Sequence, residues 1–251
     1  MKKLYAQSEL SFAIACIVIY CILQSLANPL NAIIGIECAA NALFLLVLAI
    51  ILFHFIRKNG LLERYGLCSP SAPARRFLYY IPLLILSTSN LWNGVAVNLP
   101  WLDALCYISY MLCVGWVEEV LFRGFLFRAL AKDHVKKAML LSSITFGLGH
   151  LLHLINGSGA ELVATLCQAF GAIAIGFLFV LVFYRGGSLI PCILTHSAID
   201  AISVFGNEAG LTVEKRIIFS LIKLAIIIVY ALILNRMLPK KSALARENAP
   251  M

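Results

Sequence analysis

The stretch CVGWVEEVLFRGFLFRAL, residues 113–130, is almost entirely apolar, yet Glu118 and Glu119 stand side by side in its middle and Arg123 follows. Together with residues 101–112 it is long enough for a spanning helix, which needs about 20 mostly apolar residues. A mid-helix Arg, Lys or Asp costs roughly 2.5–3.5 kcal/mol on insertion, whereas each Leu or Ile returns only about 0.3–0.6 kcal/mol. The charged cluster must therefore face protein or a water-filled cavity, and such intramembrane groups indicate a functional site.

The composition of the whole chain indicates an integral membrane protein. Of its 251 residues 62% are hydrophobic and only 13% are charged, whereas a soluble domain carries about 25% charged residues. The net charge of +8 comes from basic residues between the apolar runs, as in the cytoplasmic loops of membrane proteins. No basic surface with interleaved aromatic residues is visible, so we expect no binding of nucleic acid.

The apolar runs predict an all-α, polytopic fold with about eight transmembrane helices. The third run contains Pro82, turns polar at residues 87–94, and is the weakest of the eight. Its alternative is a re-entrant or interfacial segment, which would change both the helix count and the side on which the N-terminus lies. We divide the chain into N-terminal membrane helices (1–100) with a basic loop at 57–76, a core (101–205), and a last helix with a basic tail (206–251). The predicted runs are 10–27, 32–56, 77–99, 101–130, 138–155, 161–184, 188–205 and 216–235.

The basic residues also predict the orientation. With eight spans, the segments on one side are the N-terminus, 57–76, 131–137, 185–187 and the tail, and all are basic. The opposite segments, 28–31, 93–100, 156–161 and 206–214, are neutral or acidic, although Lys215 and Arg216 go against the pattern. Basic loops stay in the cytoplasm. We therefore expect both termini in the cytoplasm, and a location in the cell membrane if the protein is bacterial.

The spacing of the charged residues predicts different roles for the two carboxylates. Glu119 and Arg123 are four residues apart, so they share a helical face and can pair. Glu118 is rotated by about 100° from Glu119, which makes it the freer carboxylate and the candidate general base. A structural Glu–Arg brace between helices would explain Glu119 and Arg123, but it would leave the second carboxylate unexplained.

Two further predicted helices carry polar residues four apart on one face. Phe146 and His150 lie in TFGLGHLLHL, where Gly147 and Gly149 permit close helix approach, and His196 and Asp200 lie in PCILTHSAIDA. A lone histidine in an apolar helix is usually a packed, hydrogen-bonded side chain. At 1.5 Å per residue, however, Glu118, His150, His196 and Asp200 all fall roughly 12–21 Å from the cytoplasmic end. The four side chains can therefore converge in one layer of the membrane.

The three segments EEVLFR (118–123), FGLGH (146–150) and HSAID (196–200) together resemble the CPBP family of intramembrane proteases, the CAAX-processing and bacteriocin-processing group also called Abi. The resemblance covers about residues 101–205. It implies an eight-helix endopeptidase with a catalytic cavity inside the helix bundle and a peptide or protein substrate at the bilayer.

The resemblance also implies roles for single residues. Glu118 would be the general base that acts on water with His150, while His196 and Asp200 would form the oxyanion side. Glu119 and Arg123 would hold the first motif helix in place, and Phe146 would support the site. The third family motif often ends in Asn, whereas this one ends in Asp200. An ionised Asp cannot donate a hydrogen bond to an oxyanion, so Asp200 must be protonated, orient His196 or bind a metal.

The cofactor and the reaction class each have an alternative. The family is often labelled as metalloproteases, and Glu118, His150, His196 and Asp200 would also suit Zn²⁺, but no HExxH sequence is present and we expect no cofactor. Proton-coupled transporters also bury such residues, and Lys223 in the last helix would suit one. The other alternative is a non-catalytic bacteriocin-immunity or scaffold protein on the same fold.

Overall fold

The computed structural model describes residues 1–151 and 161–239. The described residues are mostly helical and form no β-strand; an isolated bridge joins Val95 to Gly206. The predicted all-α fold is thus confirmed. The second histidine of TFGLGHLLHL, the predicted loop at 156–161 except Glu161, and the basic tail at 240–251 lie outside the described residues.

The helices follow the predicted order along the chain. A π-helix, Glu119–Leu126, joins α5 to α6 without a break. The α-helices of the described residues are α1 Lys2–Gln7, α2 Glu9–Ile34, α3 Ala39–Lys58, α4 Ile81–Ser87, α5 Trp101–Glu118, α6 Phe127–Leu130, α7 Val135–Gly149, α8 Leu162–Gly186, α9 Ile190–Ile202 and α10 Val213–Met237.

Five helical stretches of the described residues are long and apolar enough to cross a membrane: α2, α3, Trp101–Leu130, α8 and α10. Helices α7 and α9 are shorter, so the predicted count of eight is not confirmed. The predicted run 77–99 contains only α4 and short 3₁₀ turns. Three residues before α4 have positive φ, among them Tyr80 at 61°, and Pro82 lies in its first turn. Because proline favours a helix start, this segment breaks where a continuous span was predicted.

The predicted turn at residues 28–31 is wrong, because α2 continues through Pro29 to Ile34. The helix ends at Gly35, whose φ of 75° gives the left-handed conformation that commonly terminates helices. The Asn31 side chain bridges to the next helix by accepting from the Ala40 amide at 2.8 Å and donating to Asn41 at 2.5 Å. The connection between the first two long helices therefore lies at residues 35–38.

Ion pairs connect three of the predicted basic segments, the N-terminus, 57–76 and 131–137, at one end of the bundle. Glu9, at the start of α2, pairs with Arg64 at 2.7 Å and with Lys132 at 3.2 Å. The Ser188 hydroxyl donates to the Cys68 carbonyl at 2.6 Å, which places residues 185–188 at the same end. The segments that the sequence assigns to the cytoplasmic side are thus neighbours in space.

The remaining contacts separate the two ends of the bundle. Arg185 donates to the Asn235 side chain at 2.6 Å, so the end of α10 joins the basic end. The predicted outer segments meet elsewhere: Asn93 donates to the Asn207 carbonyl at 2.7 Å, and Asn98 donates to the Gly206 carbonyl at 2.8 Å. The N-terminus and the last described residues consequently lie at the same end, as the charge pattern predicts.

Two glycines set the helix spacing around the polar cluster. A Cβ on Gly115 of α5 would lie 2.5 Å from the backbone nitrogen of Ser197 in α9. A Cβ on Gly147 of α7 would lie 2.8 Å from the Ala169 carbonyl oxygen in α8. Because only glycine permits such backbone approach, these contacts bring α5 onto α9 and α7 onto α8.

Candidate active site

A buried carboxylate links the first and third motif helices. Glu119 and Arg123 are both fully buried, and the Arg123 Nη1 atom donates to Glu119 Oε1 at 2.9 Å, as their spacing predicts. The same oxygen lies 2.8 Å from Nδ1 of His196 in α9. Glu119 therefore does more than brace its own helix, because it also fixes the orientation of the His196 ring.

The other ring nitrogen of His196 faces the remaining acids. His196 Nε2 lies 3.2 Å from Asp200 Oδ2 and 3.6 Å from Glu118 Oε2. A carboxylate only accepts, so the imidazole can donate to both Glu119 and Asp200 only when both ring nitrogens carry protons. The fold thus assembles Glu118, His196 and Asp200 around one nitrogen, with Asp200 placed to orient His196.

Aromatic rings enclose the charged pair. The Arg123 guanidinium lies 3.9 Å from the centre of the Phe146 ring, a cation–π geometry that stabilises a desolvated cation. A Cβ on Gly176 of α8 would come within 2.9 Å of Arg123 Nη2, so this glycine leaves the room that the arginine occupies. The Phe146 ring also contacts the His196 ring edge-on, at 5.6 Å between centres. Phe146 therefore separates the arginine from the polar cavity beside it.

His150 reaches the site from the end of α7. Its ring meets Phe146 edge-on at 5.4 Å between centres, so the two histidines contact the same phenylalanine. His150 is partly exposed and lines a cavity that also reaches Glu118 and Asp200. Glu118 and His150 therefore border the same cavity.

Tyr20, which lies outside the three sequence motifs, is a further neighbour of Glu118. The Tyr20 hydroxyl of α2 donates to Glu118 Oε1 at 2.5 Å. Gln24, one turn further along α2, donates to the Tyr110 hydroxyl of α5 at 2.6 Å and accepts from Asn41 at 3.1 Å. The sequence offered only one signal for these contacts, which is that tyrosine, glutamine and asparagine recur inside the first two apolar runs.

Two adjoining cavities border the cluster. The larger, about 920 Å³, is lined by Glu118, His150, Asp200 and the polar residues of α2, α3 and α5. The smaller, about 340 Å³, is lined mostly by apolar residues of α8 and α10, and His196 and Asp200 form part of its wall. Lys223 of α10 borders both cavities. The candidate site therefore has a polar side and an apolar side.

The candidate zinc ligands can be tested against this geometry. Within residues 1–151 and 161–239, no group of three or more His, Cys, Asp or Glu side chains is arranged to hold a metal ion. Both His196 nitrogens lie within hydrogen-bond distance of a carboxylate and can act there as hydrogen-bond donors. We therefore assign no step to a metal.

Comparison with protein families agrees with the motifs. Residues 100–202 match the family model described as "Rce1-like: Type II CAAX prenyl endopeptidase Rce1-like". The match includes every candidate site residue and confirms the resemblance to the CPBP family. The five apolar helices of the described residues and this match indicate an integral membrane protein whose central segment is similar to CAAX-type proteases. No curated protein and no solved structure matches the chain.

Proposed function

We propose that the protein is an intramembrane endopeptidase in which Glu118 activates water for attack on a peptide bond. One observation carries this proposal: Glu118 faces a cavity inside the helix bundle, with His196 Nε2 at 3.6 Å from its side chain. Of the two adjacent glutamates, Glu118 is the one that Arg123 does not bind, so it is available to accept a proton. Peptide hydrolysis needs an activated water and a donor for the oxyanion, and Glu118 and His196 supply these two groups.

The reaction follows from these positions. Glu118 takes a proton from a water molecule in the cavity, and the hydroxide attacks the peptide carbonyl carbon. Glu119 holds the His196 ring through Nδ1, and the Nε2–H shifts its hydrogen bond from Asp200 to the developing oxyanion. Glu118 then returns the proton to the leaving amine as the C–N bond breaks. His150, on the cavity wall, completes the contacts of the water.

The substrate that we propose is a lipid-modified C-terminal peptide. The description of the matching family names a CAAX prenyl endopeptidase, and the apolar cavity next to His196 and Asp200 offers a surface for an apolar group. The scissile bond would lie in the polar cavity beside Glu118. An alkyl or prenyl chain would occupy the apolar side, where its burial is favourable at about 0.8 kcal/mol per CH₂ group.

The proposal is tested by peptide cleavage in proteoliposomes that contain the purified protein. A farnesylated CAAX peptide with a fluorophore and a quencher on either side of the farnesyl cysteine reports the cut. We expect Glu118→Gln to lower kcat by about 10²–10⁴-fold, the usual contribution of a general base. Glu63→Gln, at an exposed position in the 57–76 loop, is the matched control and should cleave like the wild type.

Two further measurements separate the alternatives. A zinc chelator should leave cleavage unchanged, and a loss that added Zn²⁺ restores would instead assign the chemistry to a metal. If the wild type cleaves none of the lipidated peptides, the protease proposal fails. Proton uptake by the same vesicles in response to a solute gradient would then favour the transporter.

A further inference from the structure

Lys223 is a charged residue that the proposed reaction does not use. It lies ten residues after Val213, the first residue of α10, which places it about 15 Å along the helix axis. This depth is close to the middle of α10, in a helix of otherwise apolar character. A lysine at the centre of a spanning helix costs roughly 2.5–3.5 kcal/mol on insertion, so this position demands a compensating interaction.

The surroundings of Lys223 show which groups could offset the cost of placing its charge in the membrane. Its side chain borders both cavities of the candidate site, together with His150 and Asp200. Within residues 1–151 and 161–239, no hydrogen bond or ion pair joins its ammonium group to another side chain. Asp200, the acid that borders both cavities with Lys223, lies 3.2 Å from His196. Lys223 therefore presents a cation to the cavity.

We propose that Lys223 binds a carboxylate of the peptide substrate while the scissile bond lies at Glu118. This inference rests on the proposed endopeptidase function and adds a determinant of substrate choice to it. An ammonium and a carboxylate form a charge-assisted hydrogen bond, which is stronger in a poorly solvated cavity than in water. The same contact would offset the insertion cost of the lysine, because the cavity replaces lipid around its charge.

A carboxylate of the substrate suits this depth better than a lipid phosphate. Headgroup phosphates lie at the membrane interface, outside a hydrocarbon core about 30 Å thick, and Lys223 is near the middle of its helix. A peptide that enters the cavity brings its own carboxylate to that level. Two sources share this chemistry: the free C-terminal carboxylate, and an Asp or Glu side chain near the cut.

Binding of three peptides to the Glu118→Gln protein in detergent micelles tests the inference without any cleavage. The probes are a farnesylated fluorescent peptide with a free C-terminal carboxylate, the same peptide as a C-terminal amide, and the amide with a Glu near its end. We expect the peptides that carry a carboxylate to bind at least about tenfold more tightly than the plain amide, as for a hydrogen bond between charged groups. Comparison of the first and third peptides identifies the source of the carboxylate.

Substitution of the lysine assigns the effect to this residue. In the Glu118→Gln background, Lys223→Met should abolish the difference between carboxylate and amide peptides, and Lys223→Arg should preserve it. The control is Lys215→Met on the same helix, because Lys215 is exposed and borders neither cavity; it should keep the full difference.

Two outcomes overturn the inference. One is equal binding of all three peptides to the protein that retains Lys223, a result that needs no lysine variant to fold. The other is a preference for carboxylate that survives Lys223→Met. Neither outcome rejects the proposed endopeptidase function, because that function is tested by cleavage with the wild-type protein and the binding assay uses the Glu118→Gln protein. Conversely, a wild type that prefers carboxylate peptides without cutting them supports the lysine site and rejects the protease.

Discussion

The two adjacent glutamates differ in what each one touches. Glu119 is fully buried and accepts from Arg123 and His196, so its role in the structure is to tie α9 to the first motif helix. Glu118 faces a cavity and accepts from the Tyr20 hydroxyl. One residue of separation, about 100° of helix rotation, therefore puts one carboxylate in the protein interior and the other in a space that a substrate can enter.

Tyr20 is predicted to position Glu118 for catalysis. Because Tyr20→Phe removes the hydroxyl that holds Glu118 Oε1, we expect kcat on the farnesylated peptide to fall about tenfold, in line with one hydrogen bond to a charged group. The KM should change little, since Tyr20 need not contact the peptide. Steady-state kinetics in proteoliposomes measure both constants.

Tyr230→Phe is the matched control for Tyr20→Phe. Tyr230 is also buried and donates one hydrogen bond, to the Phe77 carbonyl at 2.8 Å, but it borders neither cavity. It should lower thermal stability without a change in kcat. If both variants lose activity in proportion to their stability, Tyr20 is only structural.

At the scale of elements, the first motif occupies an unusual helix. The chain changes from α-helix to π-helix at Glu119 and returns to α-helix at Phe127. A π-helix bonds each residue to the fifth one along, and such turns occur frequently at functional sites. All eight residues of this π-helix are buried, so packing against neighbouring helices supports its less common geometry.

The close contact of α5 with α9 at Gly115 is predicted to hold His196 in its position in the candidate active site. A Cβ there would clash with the backbone of Ser197, next to His196, so Gly115→Ala must push α9 away from α5. We expect a loss of about 1–3 kcal/mol of stability, as for other overpacked sites, and a clear fall in kcat because His196 moves away from Glu119. Thermal denaturation in detergent and peptide cleavage measure the two effects.

Gly149→Ala serves as the control for Gly115→Ala. A Cβ on Gly149 would meet no atom within 4 Å, so the predicted close helix approach at Gly149 is wrong. Stability of Gly149→Ala should stay the same or rise slightly, since alanine favours helix. Equal stability of the two variants would contradict the close contact between α5 and α9.

At the scale of the whole molecule, the distribution of basic residues and the contacts between segments both divide the helix bundle into two ends. The basic segments meet through Glu9, Arg64 and Lys132, whereas Asn93 and Asn207 mark the opposite end. Since basic segments stay in the cytoplasm, the end that carries Glu9 is predicted to be cytoplasmic. The large cavity reaches residues at the opposite end, including Asn93 and Asn207.

Epitope tags inserted at Gly60 and Gly210 test this orientation. Both glycines lie in exposed connections with open space around them, so the insertions should be tolerated. We expect protease added to intact cells to remove the tag at Gly210 and to reach the tag at Gly60 only after permeabilisation. The opposite pattern would reverse the orientation, and equal access at both sites would contradict the separation of the two ends.

Much of this protein could be predicted from local chemistry alone. The apolar runs determined the helical, membrane-embedded class, because length and composition are sufficient for that inference. The four-residue spacing predicted the Glu119–Arg123 pair, because such a pair lies within one helix. The motif order predicted the family match over residues 100–202. Proline and neighbouring polar residues predict the end of a helix at residues 28–31, and this prediction is wrong because α2 passes through Pro29.

Other features depend on contacts between distant parts of the chain. The bond from Tyr20 to Glu118 spans 98 residues and the bond from Glu119 to His196 spans 77; neither partner carries a local pattern that specifies the other. By contrast, the contact between Asp200 and His196 is local, because the two residues are four apart in α9, and only tertiary packing brings His196 within 2.8 Å of Glu119. Periodicity determines which face of a helix is polar, but only tertiary packing determines what that face meets.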